Sequence, residues 1–215
     1  MQRLIAETNR TMLYIDFHTH HLPTENGVVA VVDGRDTWGI HPWQVGQSPL
    51  PKDLEEASEV DWETLLAIGE CGLDALRGAS MERQEEVFLQ HIALSERLGK
   101  PLIVHCVKAI DRLLRLRREQ KPTMPWMLHG FRGKPQQLRS LLDAGFYIGF
   151  GFRHNAESLR LCPAERLLLE SDDQPQSITL LYRKVAEERG IEVADLYDEM
   201  GKNYRKFFSR HPLSM

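Results

Sequence analysis

The sequence predicts an α/β fold, a TIM-like (β/α) barrel that is shortened or distorted in its first third. Short apolar segments alternate with longer amphipathic ones, which is typical of parallel strands joined by helices. Ligand-type side chains repeatedly follow the apolar segments, and active sites of such barrels lie at the carboxyl ends of the strands. Between His20 and His41 the apolar segments lie too close together to leave room for helices, so we expect a compressed region there.

Composition and charge are those of an ordinary globular enzyme. Hydrophobic residues make up 42% and charged residues 27% of the 215 residues, which suits one domain over residues 1–215. The net charge of −4 argues against a generally basic coat for nucleic acid, but it leaves room for a local basic patch. No apolar run has the length of a signal peptide or a membrane span. We therefore expect a cytoplasmic protein with no membrane partner and no obligate protein partner.

The first strand is predicted at residues 13–17, which are mostly apolar. Side chains alternate between the two faces of a strand, so His18 and His20 at its end point the same way. Two imidazoles on one face can bind one metal ion together. Strand-end histidines also serve as hydrogen-bonded structural residues, so the pair alone does not decide between these roles.

The next two segments are predicted to form an antiparallel hairpin. Residues 27–33 are rich in β-branched side chains, and residues 37–41 form another short apolar run. The turn between them is far shorter than the dozen or so residues that a parallel crossover needs. We therefore expect residues 28–32 and 38–40 to pair in opposite directions.

The remainder of the chain alternates regularly between strands and helices. Ser80 is a favourable N-cap for a long helix, and Gly99 followed by Pro101 ends it. The predicted strands cover residues 65–69, 102–104, 126–128, 146–150 and 166–169. The predicted helices cover residues 51–60, 80–98, 108–119, 135–144, 177–189 and 193–208.

Ligand-type side chains stand at the ends of several predicted strands. Four imidazoles and two carboxylates of this kind suit one or two divalent cations. A carboxylate can bridge two ions about 3.5–4 Å apart, and such a pair can activate water. Any one of the histidines could be a separate structural residue, but four of the nine follow strands, which favours a common metal site. The six residues are His18, His20, Glu70, His105, His129 and Asp172.

Six motifs between Leu13 and Asp172 resemble those of the TatD-like metal-dependent hydrolases, which belong to the amidohydrolase-like barrels. A weaker likeness continues through Asn203 and Phe207. The motifs are Asp16-Phe17-His18-Thr19-His20, Gly39-Ile40-His41-Pro42, Ile68-Gly69-Glu70-Cys71-Gly72-Leu73-Asp74, Pro101-Leu102-Ile103-Val104-His105, His129-Gly130-Phe131-Arg132-Gly133 and Leu169-Glu170-Ser171-Asp172.

The resemblance implies two metal sites bridged by Glu70, with nuclease activity that is commonly exonucleolytic on DNA. The first ion would be bound by His18, His20, Glu70 and Asp172. The second ion would be bound by Glu70, His105 and His129. The expected cofactors are two divalent ions (Mg, Mn or Zn), and the expected substrate is single-stranded DNA or DNA 3′ ends.

The chain departs from the family pattern in two places. It has too few residues between His20 and Gly39 for the usual helices, and Asp173-Gln174 stands where a proline is usual. Other barrels of this kind bridge their metals with a modified lysine, and this chain has Glu70 there. Another class of His-x-His phosphoesterases has a final Asp-x-His motif. In this chain Asp172 is followed by Asp173 and Gln174, so that motif is absent here.

The mechanism that we expect uses water activated by two metal ions. Asp172 would bind one ion and take the proton from that water, while Glu70 bridges both ions. The resulting hydroxide would attack phosphorus, and the metals would take up the developing negative charge.

Basic side chains follow the same strand ends and could bind phosphate. His41 is expected to support the site or contact the substrate. Phe131 and Trp43 could stack on bases, or they could be packing residues. The basic rim residues and their neighbour are Lys108, Arg132, Lys134, Arg153 and His154.

Two other functions fit the same residues. Metal hydroxide attacks carbonyl carbon as well, so the substrate could be an ester or amide that is not a nucleic acid. A non-catalytic metal-binding or DNA-binding scaffold is the third alternative. Turnover would distinguish it from the two enzymes.

Overall fold

The computed structural model describes residues 13–47, 54 and 60–208, which form a ring of parallel strands with helices outside it. The predicted helix over residues 51–60 lies almost wholly outside the described residues. The strands are β1 Tyr14–Thr19, β2 Val28–Val32, β3 Thr37–Trp38, β4 Ala67–Asp74, β5 Leu102–Val107, β6 Trp126–Leu128, β7 Tyr147–Phe150 and β8 Leu167–Leu169. The helices are α1 Met81–Leu98, α2 Ile110–Gln120, α3 Pro135–Asp143, α4 Ala156–Leu161, α5 Ile178–Arg189 and α6 Val193–Phe207.

The ring consists of two parallel sheets that meet at both of their edges. Strands β3 to β8 pair in sequence order, and β1 pairs with β2. At one junction the Asp172 amide donates to the His18 carbonyl over 3.0 Å, and the His20 amide donates to the Asp172 carbonyl over 3.1 Å. At the other, Asp33 and Thr37 form a parallel bridge. The predicted barrel is confirmed, and its compression lies where expected.

The predicted antiparallel hairpin is wrong. Strand β2 runs parallel to β1, and β3 runs parallel to β4. Residues 33–36 form a tight turn in which the Asp36 amide donates to the Val32 carbonyl over 2.8 Å, and an Asp36 side-chain oxygen accepts from the Val32 amide, also over 2.8 Å. One turn of chain therefore brings Thr37 beside Asp33 in the same direction. The long connection that usually joins two parallel strands is not needed here. The strands β2 and β3 are linked only by the single bridge between Asp33 and Thr37, so the chain does not have to cross a face of the sheet.

Strand β4 extends beyond its predicted end and carries the chain to Asp74. Its register against β5 shifts between Ile68 and Cys71. Gly69 and Gly72 have φ values of 140° and 142°, and a Cβ on Gly72 would lie 2.1 Å from the His105 carbonyl oxygen. These glycines let the two backbones approach closely, so β4 can bulge at Glu70 and still continue.

Helix α1 covers the outside of β4, as its apolar face predicts. The Ser80 hydroxyl accepts from the Arg83 amide over 3.3 Å at the start, and Gly99 in the left-handed conformation ends the helix. Its buried Phe88 contacts Trp126 edge to face, with ring centroids 5.4 Å apart. Burial of these aromatic rings contributes to the hydrophobic stabilisation of this part of the core.

The described helices include none that is both long and apolar enough to cross a membrane.

His91 on α1 supports the segment before His41, and it predicts a pH dependence of stability. The Ile40 amide donates to His91 Nε2 over 2.9 Å, and His91 Nδ1 donates to the Val87 carbonyl over 2.8 Å. This arrangement needs a neutral ring, and burial lowers the pKa of His91 from 6.5 to about 4. The unfolded chain binds this proton more readily, so the contribution is full above pH about 6.5 and is lost as pH falls towards about 4.

We expect His91 to make the metal-free protein less stable by about 2–3 kcal/mol at pH 4.5 than at pH 7.5. Urea unfolding across this range would measure the loss. His91→Gln can make both hydrogen bonds without titrating, so its profile should be flatter by that amount. Parallel profiles for the two proteins would contradict the assignment.

Candidate metal centre

The six ligand-type residues predicted from the sequence meet at the carboxyl end of the barrel. His18 lies on β1 and His20 directly follows it, while Glu70 lies on β4 and His105 on β5. The other two follow β6 and β8. Most of them line a cavity of about 980 Å³, while His18 lies fully buried beneath it. Parallel strands that run in register deliver their ends to one place, which explains why residues up to 154 positions apart converge.

Glu70 divides the other ligand-type residues into two groups. Its Oε2 atom lies 3.4 Å from His18 Nε2 and 3.6 Å from His20 Nε2. Its Oε1 atom lies 2.7 Å from both His105 Nδ1 and His129 Nε2. The two oxygens of one carboxylate therefore face two different pairs of imidazoles.

Asp172 lies beside His18 and His20, the pair of imidazoles that faces Glu70 Oε2. Its Oδ1 atom lies 3.9 Å from His18 Nε2 and 3.6 Å from His20 Nε2. Asp172 has a positive φ of 55° and is held by backbone hydrogen bonds to the end of β1. The same contacts that close the barrel thus place this carboxylate.

His41 lies beside His105, which with His129 forms the pair of imidazoles that faces Glu70 Oε1. Its Nε2 atom lies 3.1 Å from Glu70 Oε1 and 3.3 Å from His105 Nδ1. His41, Glu70 and His105 form one of the clusters whose ligand atoms lie within 4.8 Å of one another. The residue predicted to support the site or contact substrate therefore lies directly against the Glu70 carboxylate.

The electrostatics of the centre suit a divalent cation. Burial opposes ionisation of Glu70, but the His129, His105 and His18 rings hold the pKa of Glu70 well below its usual range. Burial likewise opposes protonation of His129, and the Glu70 and Glu170 carboxylates raise the pKa of His129 well above its usual range. Both His18 nitrogens are buried without a hydrogen-bond partner in the described structure. Ionised oxygen beside unpartnered imidazole nitrogen is a donor set that fits a metal.

Three further carboxylates lie behind the ligand-type histidines, and the sequence analysis did not assign them a role. Asp33 Oδ2 lies 3.6 Å from His20 Nδ1, and Asp74 Oδ2 lies 3.3 Å from His105 Nε2. Glu170 Oε1 lies 3.8 Å from His129 Nδ1. Carboxylates commonly orient metal-binding histidines in this way. Each of the three stands at a strand end, and this position was the signal that could have found them.

Glu170 occupies a space that depends on a neighbouring glycine. Its side chain is fully buried, and its Oε1 atom accepts from the Gly130 amide. A Cβ on Gly149 would lie 2.5 Å from Glu170 Oε2. The glycine on β7 therefore makes room for the carboxylate that faces His129.

The predicted rim cations are only partly brought together. Lys108 and Arg132 line the large cavity, and Arg153 lines a small adjoining cavity together with Arg132. All three are exposed and form no ion pair with the described residues. His154 lies elsewhere, since its Nε2 atom is 3.0 Å from the Glu188 carboxylate.

The two aromatic residues considered for base stacking differ in exposure. Phe131 is buried and packs edge to face on Phe150, with ring centroids 5.8 Å apart. Trp43 is 40% exposed, and its indole nitrogen donates to Asp74 over 2.6 Å. The Arg77 guanidinium lies 4.6 Å from the Trp43 ring centroid. Trp43 is therefore the aromatic side chain that the cavity wall presents with a fixed orientation.

The profile of the family described as TatD related DNase matches residues 31–209. The chain belongs to this family. Its relatives include the "3'-5' ssDNA/RNA exonuclease TatD" of Pantoea ananatis (strain LMG 20103), which is 31% identical over 80% of this chain and 76% of its own length. The "Uncharacterized metal-dependent hydrolase YcfH" of Escherichia coli (strain K12) is 32% identical over 79% of this chain and 72% of its own. The prediction of a TatD-like metal-dependent hydrolase acting on ester bonds is confirmed.

Solved structures of TatD proteins share the barrel. YJJV, described as a TatD homolog from Escherichia coli K12, aligns with a TM-score of 0.67 at 22% identity, covering 88% of this chain and 79% of that one. A TatD family hydrolase from Entamoeba histolytica aligns with a TM-score of 0.67 at 17% identity, covering 84% and 74%. At these identities the likeness shows the fold alone.

The crowding around Gly149 predicts the effect of one added methyl group. We expect Gly149→Ala to lower the free energy of unfolding by about 1–3 kcal/mol, because its Cβ meets both Glu170 and the Met127 side chain. Urea unfolding would measure the change.

Gly201→Ala is the matched control. The nearest atom to its Cβ in α6 would be an Arg205 nitrogen 3.7 Å away, and alanine favours a helix by up to about 1 kcal/mol. If Gly149→Ala unfolds at the same urea concentration as Gly201→Ala, or at a higher one, the described packing around Glu170 is contradicted.

Proposed function

We propose that this TatD-family hydrolase is a two-metal phosphodiesterase that removes nucleotides from the 3′ ends of single-stranded DNA. The division of ligand-type residues by the two Glu70 oxygens supports the proposal, because two adjoining metal sites would then share one carboxylate. The exonuclease name of the Pantoea ananatis relative supports the substrate.

The two proposed sites share Glu70 and differ in their other ligands. The first would be formed by His18, His20, Glu70 and Asp172. The second would be formed by Glu70, His105 and His129, with His41 next to them. Imidazole nitrogens suit Zn²⁺ better than Mg²⁺, and mixed imidazole and carboxylate sites also suit Mn²⁺.

When bound, two divalent ions supply a water of lowered pKa and stabilise charge on the phosphate oxygens. Asp172 is the proposed proton acceptor. Burial and the neighbouring Glu170 raise the pKa of Asp172 in the metal-free chain. A carboxylate that lies beside the water can act as its general base. The water oxygen bonds to phosphorus as the P–O bond to the next nucleotide breaks. The departing oxygen then takes a proton from solvent.

The exposed cations at the mouth of the cavity would hold the nucleic-acid backbone. Lys108, Arg132 and Arg153 are not neutralised by carboxylates of the described chain, so each can contact a phosphate. They lie beside the centre rather than over the whole surface, which agrees with a net charge of −4. Trp43 supplies a ring face on which a base could stack.

The cytoplasm is the proposed compartment. Cys71, Cys106 and Cys162 are all free thiols, and Cys71 and Cys162 are buried. Burial raises the pKa of both Cys106 and Cys162 to about 12, so these thiols stay protonated and inert. A reducing compartment suits a chain with these properties.

Cleavage of end-labelled single-stranded DNA tests the proposal. Metal-stripped protein should be inactive, and adding Mn²⁺, Zn²⁺ or Mg²⁺ should restore a ladder of shortened products. Asp172→Asn should slow cleavage by about 10²–10⁴-fold, because it removes the proton acceptor. Label placed in turn at each end gives the direction of digestion.

Asp143→Asn, on an exposed position of α3, is the matched control and should cleave at the wild-type rate. Full activity of Asp172→Asn would refute the proposed role. If metal binds but no DNA is cut, the remaining candidate substrates are RNA, a smaller phosphoester, another ester or an amide, and panels of these compounds would follow.

The rim predicts a separate effect on binding. Arg132→Gln should raise KM for single-stranded DNA and reduce the slope of log K against log salt by about one, because one phosphate contact is lost. Its kcat should change little. Arg139→Gln, an exposed arginine on α3, should leave KM and the salt slope unchanged. Equal effects of the two substitutions would contradict a phosphate contact at Arg132.

A further inference from the structure

A second cavity, of about 450 Å³, lies at the opposite end of the barrel from the metal centre. Its walls come from residues that directly precede strands, including Leu66 before β4, Pro101 before β5 and Pro125 before β6. Phe207 and Phe208 at the end of α6 complete it. Its volume lies within the range of about 300–1,000 Å³ that is common for small-molecule sites.

The charge lining this cavity is entirely positive. Four cationic side chains and no carboxylate appear in the lining that the described residues provide, although the chain as a whole carries a net charge of −4. The cations are Lys100, Arg117, Arg166 and Lys206. Lys100 donates to the Leu65 carbonyl and, like Lys206, has further partners in the chain, so Arg117 and Arg166 are the cations that can attract an anion here.

Arg117 is held in a fixed orientation beside the cavity. Its guanidinium lies 4.7 Å from the centroid of the Trp126 ring, and it donates to the Ala144 and Met124 carbonyls, over 3.3 Å in each case. Its Nη2 atom makes no hydrogen bond to the described chain. Glu96 lies close enough to act on it electrostatically, but the Glu96 oxygens accept hydrogen bonds from the chain at Thr123 and beyond.

Arg166 is fixed in a similar way. Its guanidinium lies 4.8 Å from the centroid of the Tyr147 ring, and its Nη1 atom donates to the Gly145 carbonyl over 3.3 Å. It forms no ion pair with the part of the chain that the structure describes. Burial lowers the pKa of Arg117, and repulsion from Arg166 acts in the same direction. The fold thus holds two like charges near each other, and a bound anion would relieve their repulsion.

We propose that this cavity binds the phosphate group of a small phosphomonoester, with Arg117 and Arg166 as its donors. Guanidinium groups present planar sets of N–H donors that match phosphate oxygens, and the aromatic rings and carbonyls already orient them. The apolar walls at Leu66 and Phe207 leave room for the organic part of the ligand. The site is separate from the metal centre, so it does not depend on the nuclease activity.

Titration calorimetry on metal-free protein at low salt tests the site with two probes, inorganic phosphate and adenosine 5′-monophosphate. Metal is removed so that phosphate does not bind at the other end of the barrel. Arg166→Gln should weaken binding of both probes by about tenfold or more. Arg166→Lys keeps the charge and should retain part of the affinity.

Arg139→Gln is the matched control and should bind both probes like the wild type. Circular dichroism and thermal unfolding establish that each variant is folded, and Arg166→Lys serves if the glutamine variant is not. Arginine Nε–Hε signals in NMR spectra should shift on titration, with one of them absent in Arg166→Gln. No binding of either probe, binding that Arg166 substitutions do not change, or binding of oligonucleotides but not of the small probes would each overturn the proposal.

Discussion

The buried Glu70 carboxylate is the group around which this end of the barrel is organised. An isolated ionised carboxylate in a protein interior is very unfavourable, and this one is stabilised because imidazoles surround both of its oxygens. Those imidazoles can reach it only if the ends of β1 and β6, and His105 on β5, lie level with Glu70 on β4. The barrel therefore has to close accurately, and the backbone hydrogen bonds between Asp172 and the end of β1 provide that closure.

Accurate closure alone would not orient the rings. Each of three histidines has a carboxylate behind it, and these carboxylates are in turn held by the backbone or by buried side chains. Asp74 shows the depth of this support, because its own backbone N–H and carbonyl are both bound by the buried Gln84 side chain of α1. The helix layer thus reaches the centre through two successive polar contacts, which is how an outer element restricts the position of an inner ring.

The parts of this structure that follow from local patterns could be predicted from the sequence. Strand alternation and caps place His18, His105 and the long helix α1, because these depend on neighbours in the chain. The direction of β2 could not be predicted, since it depends on pairing with β1 and on a single tight turn. His154 follows a strand just as Arg132 does, yet it contacts Glu188 because the packing of α5 brings an acceptor to it. Which carboxylate lies beside which imidazole nitrogen also depends on tertiary packing. For this reason the sequence did not assign a role to Asp33, Asp74 or Glu170.

Gly149 on β7 and Glu170 after β8 compete for the same space, so the residue type at one position limits the residue types possible at the other. A larger residue at 149 would need a shorter acid at 170 as well as a shift of the Met127 side chain, because its Cβ would lie 2.5 Å from an atom of each. An aspartate at 170 would withdraw its carboxylate from the Gly130 amide and from His129. A substitution at only one of the two positions would therefore disturb the carboxylate that lies beside His129. Among diverging sequences of this fold, substitutions at the two positions are therefore expected to be correlated.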